Sequence, residues 1–154
     1  MIERLKNNDL EISKKIRSVF QLSYKVEANI LNATDFPPLK RSLENYLNSN
    51  TVFFGYLKNQ ELAGVIEIEH NNNFIHINSL VVDPGFFRQG IARKLMEYVI
   101  NTFDSKLFVV ETGLKNGPAT ELYKKFDFKE VKQWNTDHGI RKIKFELRIN
   151  NLPQ

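Results

Sequence analysis

The spacing of apolar positions changes in the middle of the chain, at the junction of two predicted elements. Residues 77–82 form a short, largely apolar run with several β-branched side chains, which is typical of a strand. Asp83-Pro84-Gly85 predicts a turn. From Ile91 to Phe103 the apolar residues recur every four positions, as on one face of a helix. The pattern therefore predicts a strand, a tight loop and a helix, in that order.

Similar patterns divide the rest of the chain into short strands and helices. We predict strands at 2–5, 51–57, 62–69, 74–82, 107–110, 128–134 and 142–149, and helices at about 9–28, 39–47, 91–103 and 119–126. The three strands at 51–57, 62–69 and 74–82 favour an antiparallel meander. The strand at 74–82, the helix at 91–103 and the strand at 107–110 imply a right-handed crossover with parallel pairing. We therefore expect an α/β (α+β) fold, with a mixed, twisted sheet of six to seven strands flanked by about four helices.

Composition limits the classes of protein that remain. The 154 residues, 42% of them hydrophobic, predict one domain at 1–150 followed by a tail at 151–154. No apolar run is long enough to span a membrane, and the polar start MIERLKNNDL does not resemble a secretory signal. The absence of cysteine excludes disulfides, cysteine zinc sites and a cysteine nucleophile. A cytoplasmic protein is the simplest interpretation.

The loop before the helix that begins at Ile91 has the character of an anion site. Gly90 and Ala92 keep bulky side chains away from the point where the helix begins. The first N–H groups of a helix have no partner within it, and the helix dipole favours negative charge there. This loop is therefore a candidate phosphate site. Taken alone, a turn of this kind more often reflects ordinary packing.

Two motifs in the chain resemble those of the GNAT superfamily of N-acetyltransferases. Residues 87–92 (FRQGIA) resemble its pyrophosphate loop, Q/R-x-x-G-x-G/A, with Phe87 where the family prefers Gln or Arg. Residues 116–128 resemble its second signature, N-x-x-A-x-x-L-Y-x-x-x-G-F. Asp127 replaces the glycine of that signature. If the residue has a left-handed conformation, Asp tolerates it better than most residues, so we expect local strain at this helix end rather than a lost site. The order of predicted elements is also that of the GNAT fold.

The resemblance implies a reaction and a set of residues. It implies transfer of an acetyl group from acetyl-CoA, as cosubstrate, to a primary amine of a small molecule or peptide, with no metal. A backbone amide of 80–82 would stabilise the oxyanion, and Tyr123 would protonate the departing thiolate. Direct attack is favoured over an acyl-enzyme because the chain has no cysteine. The implied cofactor-binding residues are Leu80, Val81, Val82, Arg88, Gln89, Gly90, Ile91, Ala92, Arg93, Asn116 and Tyr123.

The general base is less well defined by the sequence. Strand alternation predicts that His76, Asn78, Leu80 and Val82 share one face. Many GNAT proteins carry Glu at the position of Asn78, and Asn cannot act as a base. His76 lies two residues upstream and is the candidate base, although a hydrogen-bonded strand histidine is the more common outcome. The other candidates are Glu67, Glu69 and His138.

The amine acceptor is expected between the first two helices and the last hairpin, as in the family. The candidate residues are Asp35, Phe36 and Trp134, since carboxylates beside aromatic rings suit a cationic amine. The alternative is that they are ordinary surface residues. A second alternative for the whole chain is a non-catalytic acyl-CoA-binding sensor on the same fold. We expect no nucleic-acid or membrane partner, and a homodimer remains one alternative for the assembly.

Overall fold

The computed structural model describes residues 1–149, and its strands form one seven-stranded sheet. The predicted boundary at 150 and the tail at 151–154 lie outside the described residues. The helices and strands are β1 (Ile2–Leu5), α1 (Leu10–Leu31), α2 (Leu43–Asn48), β2 (Val52–Lys58), β3 (Glu61–His70), β4 (Ile75–Val82), α3 (Ile91–Thr102), β5 (Leu107–Gly113), α4 (Gly117–Lys125), β6 (Lys129–Asn135) and β7 (Arg141–Arg148). This architecture confirms the predicted fold class.

The helices begin and end at local signals in the sequence. The Asp9 side chain accepts a hydrogen bond from the Ile12 N–H at 3.1 Å, and this cap starts α1. The predicted helix at 39–47 is shorter than expected, because Pro37–Lys40 forms a separate 3-10 turn and Ser42 caps α2. Among residues 1–149, no helix combines the length and apolar character needed to cross a bilayer.

Within residues 1–149 the sheet runs in the order β1-β2-β3-β4-β5-β7-β6, and only β4 and β5 are parallel neighbours there. Their ladder covers three pairs, from Ile75 with Phe108 to Ile77 with Val110. Beyond Ile77 the two strands are no longer paired. The sheet therefore has an opening at the carboxyl ends of its two central strands. There the backbone N–H and C=O groups of β4 and β5 do not form hydrogen bonds with each other.

A bulge in β4 corrects one expectation from the sequence. Ile77 pairs with Ile68 of β3, but Ser79 pairs with Glu67, so Asn78 is an extra residue on β4. The prediction that His76, Asn78, Leu80 and Val82 share one face is therefore wrong. Ile77, Leu80 and Val82 pack on the side of α3, whereas Val81 packs on the side of α1. The side chains of His76 and Asn78 are hydrogen-bonded to each other on the α1 side.

A buried carboxylate next to this bulge fixes the strands on the α1 side. Glu67 is 2% exposed, and Arg41 donates to both of its carboxylate oxygens at 2.7 and 2.9 Å. The hydroxyls of Thr51 and Ser79 donate to it at 2.7 and 3.0 Å. The Arg41 guanidinium also lies 4.2 Å from the centre of the Tyr46 ring. This network ties the segment before α2 to β3 and to β4 beside the bulge.

We expect Arg41→Met to lower the free energy of unfolding by about 3 kcal/mol or more, because it leaves the Glu67 carboxylate buried without a counter-charge. Urea denaturation measures the change. The control is Lys14→Met, which removes the exposed ion pair between Lys14 and Glu11 and should change stability by less than about 1 kcal/mol. Equal effects of the two substitutions would contradict a structural role for the buried pair.

Candidate active site

A cavity of about 670 Å³ lies at the opening between β4 and β5. Its walls come from α1, the end of β4, the start of α3 and α4. Its volume lies within the range of small-molecule sites. Nine of the residues predicted to bind the cofactor line it, namely Leu80, Val82, Arg88, Gly90, Ile91, Ala92, Arg93, Asn116 and Tyr123. The structure therefore brings both sequence motifs to one cavity.

The first turn of α3 presents free amide donors to this cavity. Gly90 precedes the helix in a left-handed conformation, with φ of 73°. The first bond of the helix runs from the Lys94 N–H to the Gly90 carbonyl at 3.0 Å. Among the described residues, the N–H groups of Ile91, Ala92 and Arg93 have no hydrogen-bond partner. No atom lies within 4 Å of the point where a Gly90 side chain would begin, so an anion has room there.

Close packing sets the position of this turn on the sheet. A Cβ atom at Gly64 of β3 would lie 2.7 Å from the Ile91 Cγ2 atom, which is too close for any side chain. The glycine therefore lets the start of α3 lie directly on the sheet. Leu95, Met96 and Val99 follow on the buried face of the helix. Local helix packing thus holds the amide donors of α3 beside the end of β4.

The end of β4 supplies further amide groups. The Asp83 N–H donates to the Ala63 carbonyl of β3 at 2.8 Å, so alternation along the strand turns the N–H groups of Leu80 and Val82 away from β3. The Val82 N–H reaches the Ser23 hydroxyl of α1 at 3.4 Å. Because the ladder to β5 has already ended at Ile77, the Leu80 N–H faces the opening. It is therefore suited to stabilise negative charge that develops there.

Tyr123 of α4 contributes a phenol to the cavity. Its ring is 5% exposed and lies 5.8 Å from the rings of Phe128 and of Phe145. Burial, together with the charge of Glu27, raises the pKa of Tyr123 above its usual value. The phenol therefore keeps its proton at neutral pH and can donate it. Asp127, just after α4, has φ of 68°, so this residue has the left-handed conformation at the position of the family's glycine.

Glu27 of α1 is a lining residue that is absent from the site predicted from sequence. Burial raises the pKa of Glu27 to about 7, although the charge of Lys142 and a hydrogen bond from Asn116 oppose the shift. A carboxyl group with this pKa can exchange protons near neutral pH. The sequence signal is an acidic residue seven positions after the buried Phe20, on the helix face that also carries Ile16 and Tyr24.

Three other predicted residues lie away from the cavity. Val81 is buried against α1, on the opposite face of β4. Gln89 accepts a hydrogen bond from Lys58 and is not a lining residue. His76 is hydrogen-bonded to Asn78, and Asn78 donates to Glu69 at 2.7 Å, so the histidine is tied into the α1 face of the sheet. The bulge at Asn78 causes this placement. The structure therefore does not bring His76 to Tyr123.

The residues predicted to bind the acceptor lie outside the cavity as well. Phe36 is buried in a cluster with Ala28 and Ile140, so the two predicted segments do meet there. Asp35 is exposed and paired with Lys40, whose hydrogen bond and charge lower the pKa of the carboxyl group. Trp134 packs against Lys132 on β6, with the ammonium 4.9 Å from the ring centre. No cluster of potential metal ligands is found within residues 1–149.

Comparisons with known proteins identify the family of the chain. A family profile described as an acetyltransferase (GNAT) domain matches residues 26–149. The chain is 33% identical over 148 residues to the UPF0157 protein YqkA of Bacillus subtilis (strain 168), a match that spans 96% of this chain and 43% of that protein. The chain thus spans less than half the length of this relative.

Two solved structures share the fold. One is the ribosomal-protein-S18-alanine N-acetyltransferase of Escherichia coli, with a TM-score of 0.79 and 19% identity, over 100% of this chain and 96% of that chain. The other is the PaiA N-acetyltransferase of Thermoplasma acidophilum in complex with coenzyme A, with a TM-score of 0.73 and 19% identity, over 97% and 99% of the two chains. At this identity they show the fold alone. With the domain match over 26–149, they establish that the chain belongs to the GNAT acetyltransferase family.

Proposed function

We propose that the protein transfers an acetyl group from acetyl-CoA to a primary amine of a small molecule or peptide, by direct attack of the amine. One observation carries the proposal: the free amide donors of α3, the Leu80 N–H and the Tyr123 phenol all face one cavity. Family membership supports acetyl transfer in general. The coenzyme A bound in the relative from Thermoplasma acidophilum supports the choice of cosubstrate.

The cavity has the chemistry that acetyl-CoA requires. The diphosphate would accept hydrogen bonds from the N–H groups of Ile91–Arg93, and the helix dipole adds to this attraction. Arg88 and Arg93 line the same part of the cavity and supply positive charge. The apolar side chains of Ile30 and Leu122 line it as well and suit the pantetheine arm. Acetyl-CoA would supply the activated acyl group as a thioester.

Two groups of the chain would act on the reacting atoms. The Leu80 N–H would donate to the carbonyl oxygen of the thioester, where negative charge develops during attack. The Tyr123 hydroxyl would give its proton to the departing thiolate, and its raised pKa keeps that proton available. The chain has no cysteine to form an acyl-enzyme, so the amine itself is the nucleophile in this proposal.

The acceptor would enter from the side where the end of α1 meets the last hairpin. The cluster of Ala28, Phe36 and Ile140 joins these segments. Phe36 would act there as a packed wall, and Asp35, which is exposed, would attract a cationic amine at the rim. Trp134 lies on the same hairpin as Ile140 and remains the aromatic candidate of this proposal.

The direct experiment is a thiol-release assay with acetyl-CoA and a panel of amines. The panel should contain 1,3-diaminopropane, lysine, tyramine and a short peptide with a free α-amino group. We expect release of coenzyme A and a mass-detected acetylated product with at least one of them, at a rate above hydrolysis. Binding of acetyl-CoA without turnover of any amine would contradict the proposal and favour the non-catalytic sensor.

We expect Gly90→Glu to abolish binding of acetyl-CoA in isothermal titration calorimetry, because it places a carboxylate where the diphosphate would lie. The matched control is Gly139→Glu on the exposed turn before β7. That glycine also has a positive φ, of 83°, and open space around its Cβ position, so the backbone strain is similar. Equal affinities of the two folded variants would contradict the assigned phosphate site.

We expect Tyr123→Phe to lower kcat by about 10²–10⁴-fold, since this is the usual contribution of a general acid. The affinity for acetyl-CoA should stay nearly the same, because the ring remains. Tyr98→Phe is the control, since Tyr98 packs on Phe54 and does not line the cavity. An unchanged kcat in Tyr123→Phe would contradict the general-acid role and would show that Tyr123 only packs.

A further inference from the structure

The α1 wall of the cavity carries a partly buried carboxylate opposite Tyr123, and its place suggests a role in the proposed reaction. We infer that Glu27 is the catalytic base, which takes the proton from the ammonium group of the acceptor before attack. The inference rests on the proposed function. Three observations carry it: Glu27 lines the cavity together with Tyr123, Asn116 lines the cavity beside it, and the other carboxylate that lines the cavity is exposed.

The reaction needs a proton acceptor at this place. A lysine-like amine with a pKa of about 10.4 is neutral in only about one molecule per thousand at pH 7.4. An ammonium ion has no lone pair with which to attack a carbonyl carbon. The base must therefore lie within reach of the acceptor, at the same opening as the thioester.

Asn116 lies near the Glu27 carboxylate on the cavity wall. Its side-chain oxygen accepts the Ala119 N–H at 3.3 Å, and this contact caps α4. The amide nitrogen of the same side chain is the group that can donate to Glu27, and this interaction lowers the pKa of the carboxyl group. Asn116 thus lies between the start of α4, which carries Tyr123, and the carboxylate on α1.

The charges around Glu27 come from four parts of the fold. Lys142 on β7 lowers its pKa, while the phenols of Tyr24 on α1 and Tyr123 on α4 are neutral near pH 7, since burial raises the pKa of each. The other charged residues that line the cavity are Arg88, Arg93, Glu121 and Lys125. Burial outweighs these contacts and holds the pKa of Glu27 at about 7, which suits a base that works near neutral pH.

The alternatives within the described residues fit less well. Glu121 also lines the cavity, but its side chain is exposed on α4. His76 and Glu69 are joined through Asn78 on the α1 face of the sheet, and neither lines the cavity. Glu67 already accepts hydrogen bonds from Arg41, Thr51 and Ser79. Glu27 is therefore the carboxylate best placed for the proton transfer.

The protons balance in this scheme. The acceptor ammonium gives one proton to the Glu27 carboxylate, and the neutral nitrogen forms a bond to the carbonyl carbon. As the carbon–sulfur bond breaks, the thiolate takes a proton from Tyr123. The second proton of the amine nitrogen replaces the one that Tyr123 has lost. Glu27 then releases its proton to water, so the products are the amide, the free thiol and one proton.

The test compares Glu27→Gln with wild-type protein, using whichever amine of the panel is acetylated. We expect kcat/KM at pH 7.5 to fall by about 10²-fold or more, with unchanged calorimetric affinity for acetyl-CoA. The wild-type kcat/KM should rise with pH through about 7. The variant should lack this rise, which is the acid limb of the pH profile. Glu11→Gln on the exposed start of α1 is the control and should behave as wild type.

A second variant separates proton transfer from a structural role. Because the charge of Lys142 lowers the pKa of Glu27, Lys142→Met should move the acid limb to higher pH. A residue that only packs would give no such movement. An acid limb that stays in place in Lys142→Met, or that persists in Glu27→Gln, would overturn the assignment of the base.

Stability gives a readout that needs no acceptor. Between pH 4.5, the ordinary pKa of Glu, and about 7, the Glu27 carboxyl is protonated in the folded chain but ionised in the unfolded one. Its contribution to stability is therefore lost as the pH rises through this window. The Tm of Glu27→Gln, relative to wild type, should rise from about pH 4.5 to about pH 8. A constant difference would contradict the raised pKa and, with it, the base.

The outcomes distinguish this inference from the proposed function. If wild-type protein acetylates no amine of the panel, the proposed function fails and the role of Glu27 fails with it. If wild-type protein acetylates an amine, and Glu27→Gln has a kcat/KM within about threefold of wild type with the same pH profile, only the inference about Glu27 fails.

Discussion

The site depends on the separation of β4 from β5 after three paired residues. A continuous ladder would satisfy the Leu80 N–H within the sheet and would fill the space in which the cavity lies. The bulge at Asn78 and the Glu67 network lie at the point where the strands part. The buried pair with Arg41 holds β3 and β4 there, although an ion pair of this kind contributes little net stability.

The opening brings together polar groups that arise from different elements. The first amide N–H groups of α3 are free because no carbonyl within the helix can accept their hydrogen bonds. Gly64 allows the first turn of α3 to lie directly on the sheet. Tyr123 and Glu27 line the same cavity from α4 and α1, and Asn116 at the start of α4 lines it as well. Anion donors, a proton donor and a proton acceptor therefore line one cavity, which is the minimum that acyl transfer to an amine requires.

The sequence predicted those features that depend on local signals. The strand, loop and helix at 77–103 depend on signals in neighbouring residues, and all three are present. Nine of the cofactor-binding residues that the resemblance implies also line the cavity. The bulge at Asn78 depends on the register with β3, which alternation along one strand does not contain. Because of this bulge, His76 lies on the face of the sheet away from α3, whereas Leu80 and Val82 lie on the α3 face.

Tertiary contacts also decide the roles of the acidic and aromatic candidates. Phe36 packs in a small cluster, and Asp35 pairs with Lys40, because the connection after α1 folds back against the last hairpin. Glu27 has its raised pKa because the fold buries much of its carboxyl group, and no sequence pattern gives the extent of that burial. Helical spacing alone places it in the apolar stripe of α1.

A crystal structure of the protein with acetyl-CoA is the most direct test of the central claim, that the opening between β4 and β5 is the acetyl-transfer site. The account predicts the diphosphate on the amides of Ile91–Arg93 and the thioester oxygen within hydrogen-bond distance of the Leu80 N–H. It also predicts the sulfur within reach of the Tyr123 hydroxyl. A coenzyme bound elsewhere on the chain, or one whose thioester points to solvent away from Leu80 and Tyr123, would contradict it.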